Sequence, residues 1–194
     1  MNWLRRLLNA RDTAARRARV RDSVRGRHAA DLLRAPTALA TLDRTDALTV
    51  VAFMALRRYR AGEAIIREGA DGDGGFLALV VEGEVTVESN LISRAEPLTM
   101  SVLGPGQVIG EVALFDGDAR SASCTASTPQ VVCALLTREA LQTLMAREPA
   151  TAAKLLAAVG QRLGGRLREV DGKLKFYSQL VQSLQQEIDR LMPD

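Results

Sequence analysis

The sequence predicts an α+β fold: an antiparallel, jelly-roll-like β-roll of about eight strands, flanked by helices and extended by a long C-terminal coiled-coil helix. Three observations predict it. Residues 57–136 alternate short β-rich runs with glycine corners at 62, 69, 72, 74, 75 and 83, the spacing of a small antiparallel barrel or roll. The segments on either side change to helical spacing. The last of them repeats its apolar positions as a heptad over four repeats, which marks a left-handed coiled coil.

With 194 residues, the chain is long enough for one well-buried domain and appendages. It is 47% hydrophobic and 25% charged, the balance of a soluble globular chain. Aromatic residues make up only 4%, so leucine, valine and alanine must fill the core. No apolar run approaches the ~20 residues of a membrane-spanning helix. The opening MNWLRRLLNARD lacks the unbroken apolar core of a secretory signal, so a cytoplasmic chain is expected. Cys124 and Cys133 read as two buried thiols in a reducing compartment, with no need of a disulfide. The single histidine, His28, has no metal-like spacing around it. No Ser/His/Asp, Cys/His or metal set can be assembled, so neither an enzyme nor a metal or other cofactor is expected.

The net charge of +3 is unevenly placed. Residues 1–30 hold nine arginines against Asp12 and Asp22, which leaves the rest of the chain acidic. Three parts follow: a basic amphipathic arm over 1–34, a β-roll domain with flanking helices over 35–150, and a lid or dimerisation helix over 151–194. In the arm, Trp3, Leu4, Leu7 and Leu8 form a short apolar stripe between arginines. Such a helix packs on its own domain or on a partner. Alternatively, residues 1–20 make a peripheral contact with anionic lipid.

The elements follow in order. Residues 36–56 carry Leu48, Val51, Ala52 and Ala55 at helical spacing, with Thr45 as a cap candidate. Strands follow in RRYRAGEAIIREGADGDGGFLALVVEGEVTVES, then LTMSVLGPGQVIG, then SASCTASTPQVVCALL. Thr137 opens a helix and Pro149 a second one. Beyond it, Leu163, Leu167, Val170, Leu174, Tyr177, Val181, Leu184, Ile188 and Leu191 fall at alternating gaps of 4 and 3. A homodimer through residues 156–192 is therefore expected, and in parallel register Arg166 would face Asp171 of the second copy. Glycines at 160, 164, 165 and 172 weaken the helix near its start by about 1 kcal/mol each relative to alanine, as close packing or a hinge would require.

One stretch interrupts the β pattern. GEVALFDGDARSAS, Gly110 to Ser123, places a carboxylate and a guanidinium on either side of a glycine turn. Gly110 permits close backbone approach to a ligand. A helical turn at Val112–Phe115 would aim amides at an anion. Arg120 supplies a planar fork for two phosphate oxygens, Ser121 a hydroxyl beside them, and Glu111 an acceptor for a ribose hydroxyl. A nucleotide phosphate ester fits this set.

These residues resemble the cyclic nucleotide-binding domain family: the catabolite activator protein, the regulatory subunits of cyclic-nucleotide-dependent kinases, and cyclic-nucleotide-gated channels. The family's phosphate-binding cassette is similar to IGEVALFDGDARSA, Ile109 to Ala122. Two earlier motifs resemble RAGEAIIREG, Arg60 to Gly69, and FLALVVEGEVTV, Phe76 to Val87. The resemblance covers about residues 40–175. It implies a ligand, cAMP or cGMP, bound by Gly110, Glu111, Val112, Ala113, Arg120, Ser121 and Ala122. Glu111 would take the ribose 2′-hydroxyl and Arg120 the cyclic phosphate. Ser101, Arg162 and Arg166 are the implied base and lid contacts, and Ser121 matches cAMP better than cGMP.

The resemblance implies a cytosolic receptor that passes ligand binding to an effector through its C-terminal helix. Two alternatives stand beside it: a ligand-free dimerisation or docking module, and a DNA-associated regulator using the basic arm. The chain ends at Asp194 with no length for a helix-turn-helix domain after the dimer helix, so specific DNA binding is not expected.

Overall fold

The computed structural model describes residues 2–70, 75–89 and 98–191, with side chains from Asp12 onward except at 98–100, 115 and 189. The chain divides into two compact units, residues 1–158 and 159–194. The corners at Gly72 and Gly74, and the side chains of the apolar stripe Trp3, Leu4, Leu7 and Leu8, lie outside what is described.

The first unit begins with three helices: α1 (Asn2–Asp22), α2 (Val24–Leu33) and α3 (Arg44–Val51). Ser23 separates the first two. Its backbone is extended, and its hydroxyl caps α2 by accepting from the Gly26 amide at 3.3 Å. From Asp12 onward the arm is packed against the domain. Asp12 pairs with Arg147, the Arg16 guanidinium lies 5.8 Å from the centre of the Phe53 ring, and Arg25 reaches Glu82 at 3.6 Å. Within it, Ala29, Ala30 and Leu33 of α2 are buried.

The cap of α3 differs from the Thr45 expectation. Asp43 holds the extended backbone a cap needs, and its carboxylate accepts from the Asp46 amide at 2.8 Å. Thr45 lies inside the helix, where its carbonyl accepts from the Thr49 hydroxyl at 2.8 Å.

Eight strands follow among the described residues: β1 (Ala55–Arg60), β2 (Ala64–Ile66), β3 (Phe76–Glu82), β4 (Val85–Ser89), β5 (Leu98–Leu103), β6 (Val108–Ile109), β7 (Ser123–Ala126) and β8 (Gln130–Thr137). They form two antiparallel four-stranded sheets, ordered β1-β8-β3-β6 and β2-β7-β4-β5. The expected roll is present.

FLALVV and VVCALL are unbroken apolar runs because their strands, β3 and β8, are the inner strands of the first sheet, with both faces covered. Ala78 and Val80 of β3 join Ile65, Val85, Ile109, Ala126 and Cys133 in a core cluster. Leu77, Leu79 and Val81 alternate with them and are also fully buried, with α2 and the short α4 (Glu111–Phe115) packed on the strand. Each buried leucine or valine contributes about 2 kcal/mol. Cys124 and Cys133 are buried and form no disulfide, as expected.

Thr137 caps α5 (Arg138–Arg147), its hydroxyl accepting from the Ala140 amide at 3.2 Å. Pro149 opens α6, which runs to Leu191. Its first turns are fixed to α3 by polar contacts. The Thr151 hydroxyl donates to Asp46 at 2.9 Å, and Lys154 bridges Asp46 at 2.5 Å and Asp43 at 3.1 Å. Backbone and side-chain bonds, from Asp46 and then Lys154, hold the Asp43 carboxyl at a pKa of about 2. The same aspartates raise Lys154.

The second unit is the remainder of α6. Its heptad residues stand open in the single chain from Leu167 on: Leu163 is half-buried, but Leu167, Val170, Leu174, Tyr177, Val181, Leu184, Ile188 and Leu191 are all exposed, Leu174 at 65%. Gly164, Gly165 and Gly172 lie within continuous helix. No described helix is long and apolar enough to cross a membrane.

Candidate functional site

The sequence between β6 and β7 folds as a glycine turn, one short helix and a loop. β6 delivers Gly110, which takes a left-handed backbone at φ 73° and serves as the N-cap of α4. Space and backbone both call for glycine here. A Cβ would stand 2.7 Å from the Arg120 Nη1, 2.8 Å from the Ile66 side chain and 2.8 Å from the Phe76 carbonyl.

Glu111 opens α4 and is 1% exposed; Arg120, at the far end of the loop, is 4% exposed. A carboxylate in the first turn of a helix is favoured by the helix dipole. Burying it this completely is expensive unless polar partners surround it. Arg120 is held on three sides. Its Nη1 donates to the carbonyls of Phe76 (3.1 Å) and Gly110 (2.9 Å). Its guanidinium stacks on the Phe76 ring, 4.4 Å from the centroid, a geometry that favours the cation. Its backbone is fixed too, because the Gly69 amide donates to the Arg120 carbonyl at 2.8 Å.

The sheets place this apparatus. Phe76 starts β3, which pairs with β6 just before Gly110, so ring, turn and guanidinium converge on one sheet edge. Ser123 starts β7 and accepts from the Glu68 amide at 3.1 Å, while Glu68 accepts from Ser89 at 3.1 Å. These bonds close the loop ends against the second sheet.

The other expected residues are placed as follows. Val112 is exposed on α4, whereas Ala113 is 7% exposed and turned inward. Ser121 is exposed and Ala122 half-buried, immediately after Arg120. Ser101 is exposed on β5, the edge of the second sheet, opposite Val87. Arg162 and Arg166 belong to the second unit. The turn thus brings together Gly110, Glu111, Ala113 and Arg120. Two of its supports, Phe76 and Arg138, are absent from the sequence-based set. Arg138 donates from Nη2 to the Ala113 carbonyl at 2.8 Å. Among the described residues, no group of three or more metal-ligating side chains is assembled.

The family described as cyclic nucleotide-binding domain matches residues 56–148, from β1 to the end of α5. Human cGMP-dependent protein kinase 2 is 28% identical over 138 residues, covering 71% of this chain and 16% of the kinase. The cyclic AMP receptor protein of Thermus thermophilus is 35% identical over 122 residues, covering 63% of this chain and 53% of the receptor. The crystal structure of a cyclic nucleotide-binding domain from Methylobacillus flagellatus superposes with a TM-score of 0.62 at 29% identity, covering 73% of this chain and 78% of that one. The chain therefore spans about a sixth of the kinase and about half of the receptor.

Proposed function

The chain belongs to the cyclic nucleotide-binding domain family, and we propose that it is a cyclic-nucleotide receptor, with cAMP preferred to cGMP, that signals to a partner protein through its C-terminal helix. The observation that carries this reading is the burial of Glu111 and Arg120 on either side of the left-handed Gly110 turn, inside the matched segment. Two charges of opposite sign at 1% and 4% exposure are costly to keep for shape alone.

A cyclic nucleotide presents a monoanionic phosphate and, a few ångströms away, a neutral ribose hydroxyl. Arg120 meets the phosphate with a planar, always-charged fork. Glu111 accepts from the 2′-hydroxyl. Gly110, Val112, Ala113, Ser121 and Ala122 complete the phosphate shell, and Ser101, Arg162 and Arg166 are the candidate contacts to the base. Relatives named for cGMP and for cyclic AMP both match, so the preference for cAMP rests on Ser121.

The output is the helix. Its exposed heptad seam accommodates a second copy in parallel register, with Arg166 opposite Asp171 of the other strand. The ligand-ordered turn acts on α5 and the start of α6, and the partner reads the change. Equilibrium dialysis of the purified chain against cAMP and cGMP tests the proposal. Saturable uptake of cAMP at one molecule per chain is the expected result; uptake of neither nucleotide contradicts it.

A further inference from the structure

Arg138 is the first residue of α5, yet its side chain serves a different helix. Nη2 donates to the Ala113 carbonyl at 2.8 Å, and the Arg138 amide donates to the Gly75 carbonyl at 3.1 Å. Two glycines make room for it. A Cβ would stand 3.3 Å from Nη2 at Gly75 and 3.2 Å from it at Gly117. A Cβ on Gly75 would also lie 2.6 Å from the Ala113 carbonyl. Both glycines have left-handed backbones, at φ 68° and 76°.

The electrostatics point the same way. A cation in the first turn of α5 opposes that helix's own dipole, so Arg138 does not stabilise α5 by its charge. At the C-terminal side of α4 the same cation complements the dipole and satisfies a carbonyl that has no partner within so short a helix. Arg120 holds the Gly110 carbonyl at the opposite end, 2.9 Å away. The five residues of α4 are therefore bracketed by two guanidinium groups, one from the loop before β7 and one from α5.

We infer that Arg138 is a positioning residue for the nucleotide-binding turn: it holds α4 in its binding geometry and ties movement of that turn to α5. This rests on the turn being the ligand site proposed above. α5 ends at Arg147 and α6 begins at Pro149, so a displacement of α4 is passed to a rigid helix next to the root of the output helix.

The test is calorimetric titration of the full chain with cAMP and cGMP, for the wild type, Arg138→Ala and Arg138→Lys. Amide hydrogen exchange over 111–116 and 139–147 is followed in parallel. Arg138→Ala is expected to bind about tenfold more weakly, the effect of removing one charge-assisted hydrogen bond. Arg138→Lys, which keeps the charge but loses the fork, should fall between it and the wild type. Nucleotide should slow exchange in both segments of the wild type, but only in 111–116 of Arg138→Ala. Arg138→Lys decides the outcome if the alanine variant does not fold. Variants that bind as tightly as the wild type and protect both segments overturn the role of Arg138 alone. A wild type that binds neither nucleotide overturns the ligand reading and this inference with it. Affinity loss that merely tracks loss of native circular dichroism also overturns the inference, since the role would then be structural.

Discussion

The Nη1 of Arg120 donates to the Gly110 carbonyl at 2.9 Å, joining the two ends of the turn that carries the candidate site. This bond depends on Gly110 having no side chain. Gly110→Ala is expected to destabilise the domain by about 2 kcal/mol, combining a left-handed backbone with a clash at the guanidinium. Chemical denaturation measures the loss. An alanine variant as stable as the wild type would mean that the turn adopts another backbone.

Cys133 is fully buried among the core strands, and burial together with Cys124 pushes its thiol up to a pKa of about 12. The thiolate is the reactive form, so the native protein should resist iodoacetamide at Cys133 at neutral pH and become labelled in urea. The folded pKa lies above the ordinary value of 9.0, so the associated stability is intact below pH 9 and is lost as pH rises towards 12. Labelling of native Cys133 at the rate of a free thiol would place it outside the core.

Asp43 gives the opposite sign. Its folded pKa of about 2 lies below the ordinary 3.8, so its contribution is complete above pH 3.8 and is lost as pH falls towards 2. Asp43→Asn keeps a good helix cap but does not titrate. Between pH 5 and pH 2.5 the urea midpoint of the wild type should fall further than that of the variant. Parallel curves would show that the Lys154 and Asp46 contacts do not depend on the charge of Asp43.

Much of this organisation is legible in the sequence, and the exceptions have physical causes. Glycine corners and short β-rich runs announce eight strands because each turn is a local event. The IGEVALFDGDARSA motif announces the candidate site because its parts lie close together in the chain. Phe76 and Arg138 are silent for the converse reason. Phe76 meets an arginine 44 residues away and Arg138 a carbonyl 25 residues away, and only sheet pairing brings them together. The arm illustrates a third case. Its sequence leaves packing on its own domain, on a partner or on lipid open, and the contacts of Arg16 with Phe53 and of Arg25 with Glu82 are again distant in the chain. The Thr45 expectation fails because DRTD offers three cap residues, Asp43, Thr45 and Asp46, and the extended backbone falls at Asp43.

The exposed seam of α6 makes its own demand. Val181 is 63% exposed in the single chain, so Val181→Asp should leave the melting of the roll unchanged. A buried carboxylate at a core position of a two-stranded coiled coil is unfavourable. Analytical ultracentrifugation should find the wild type dimeric and Val181→Asp monomeric. A monomeric wild type would remove the second copy as the occupant of the seam.

The central claim is that Glu111 and Arg120 hold a cyclic nucleotide. Isothermal titration of the wild type and Arg120→Glu with cAMP and cGMP tests it most directly. The account predicts one-to-one binding by the wild type, tighter for cAMP, and a loss of at least about a hundredfold when the guanidinium facing the phosphate is replaced by a carboxylate. Equal binding by the two proteins, or no heat from the wild type with either nucleotide, would contradict it.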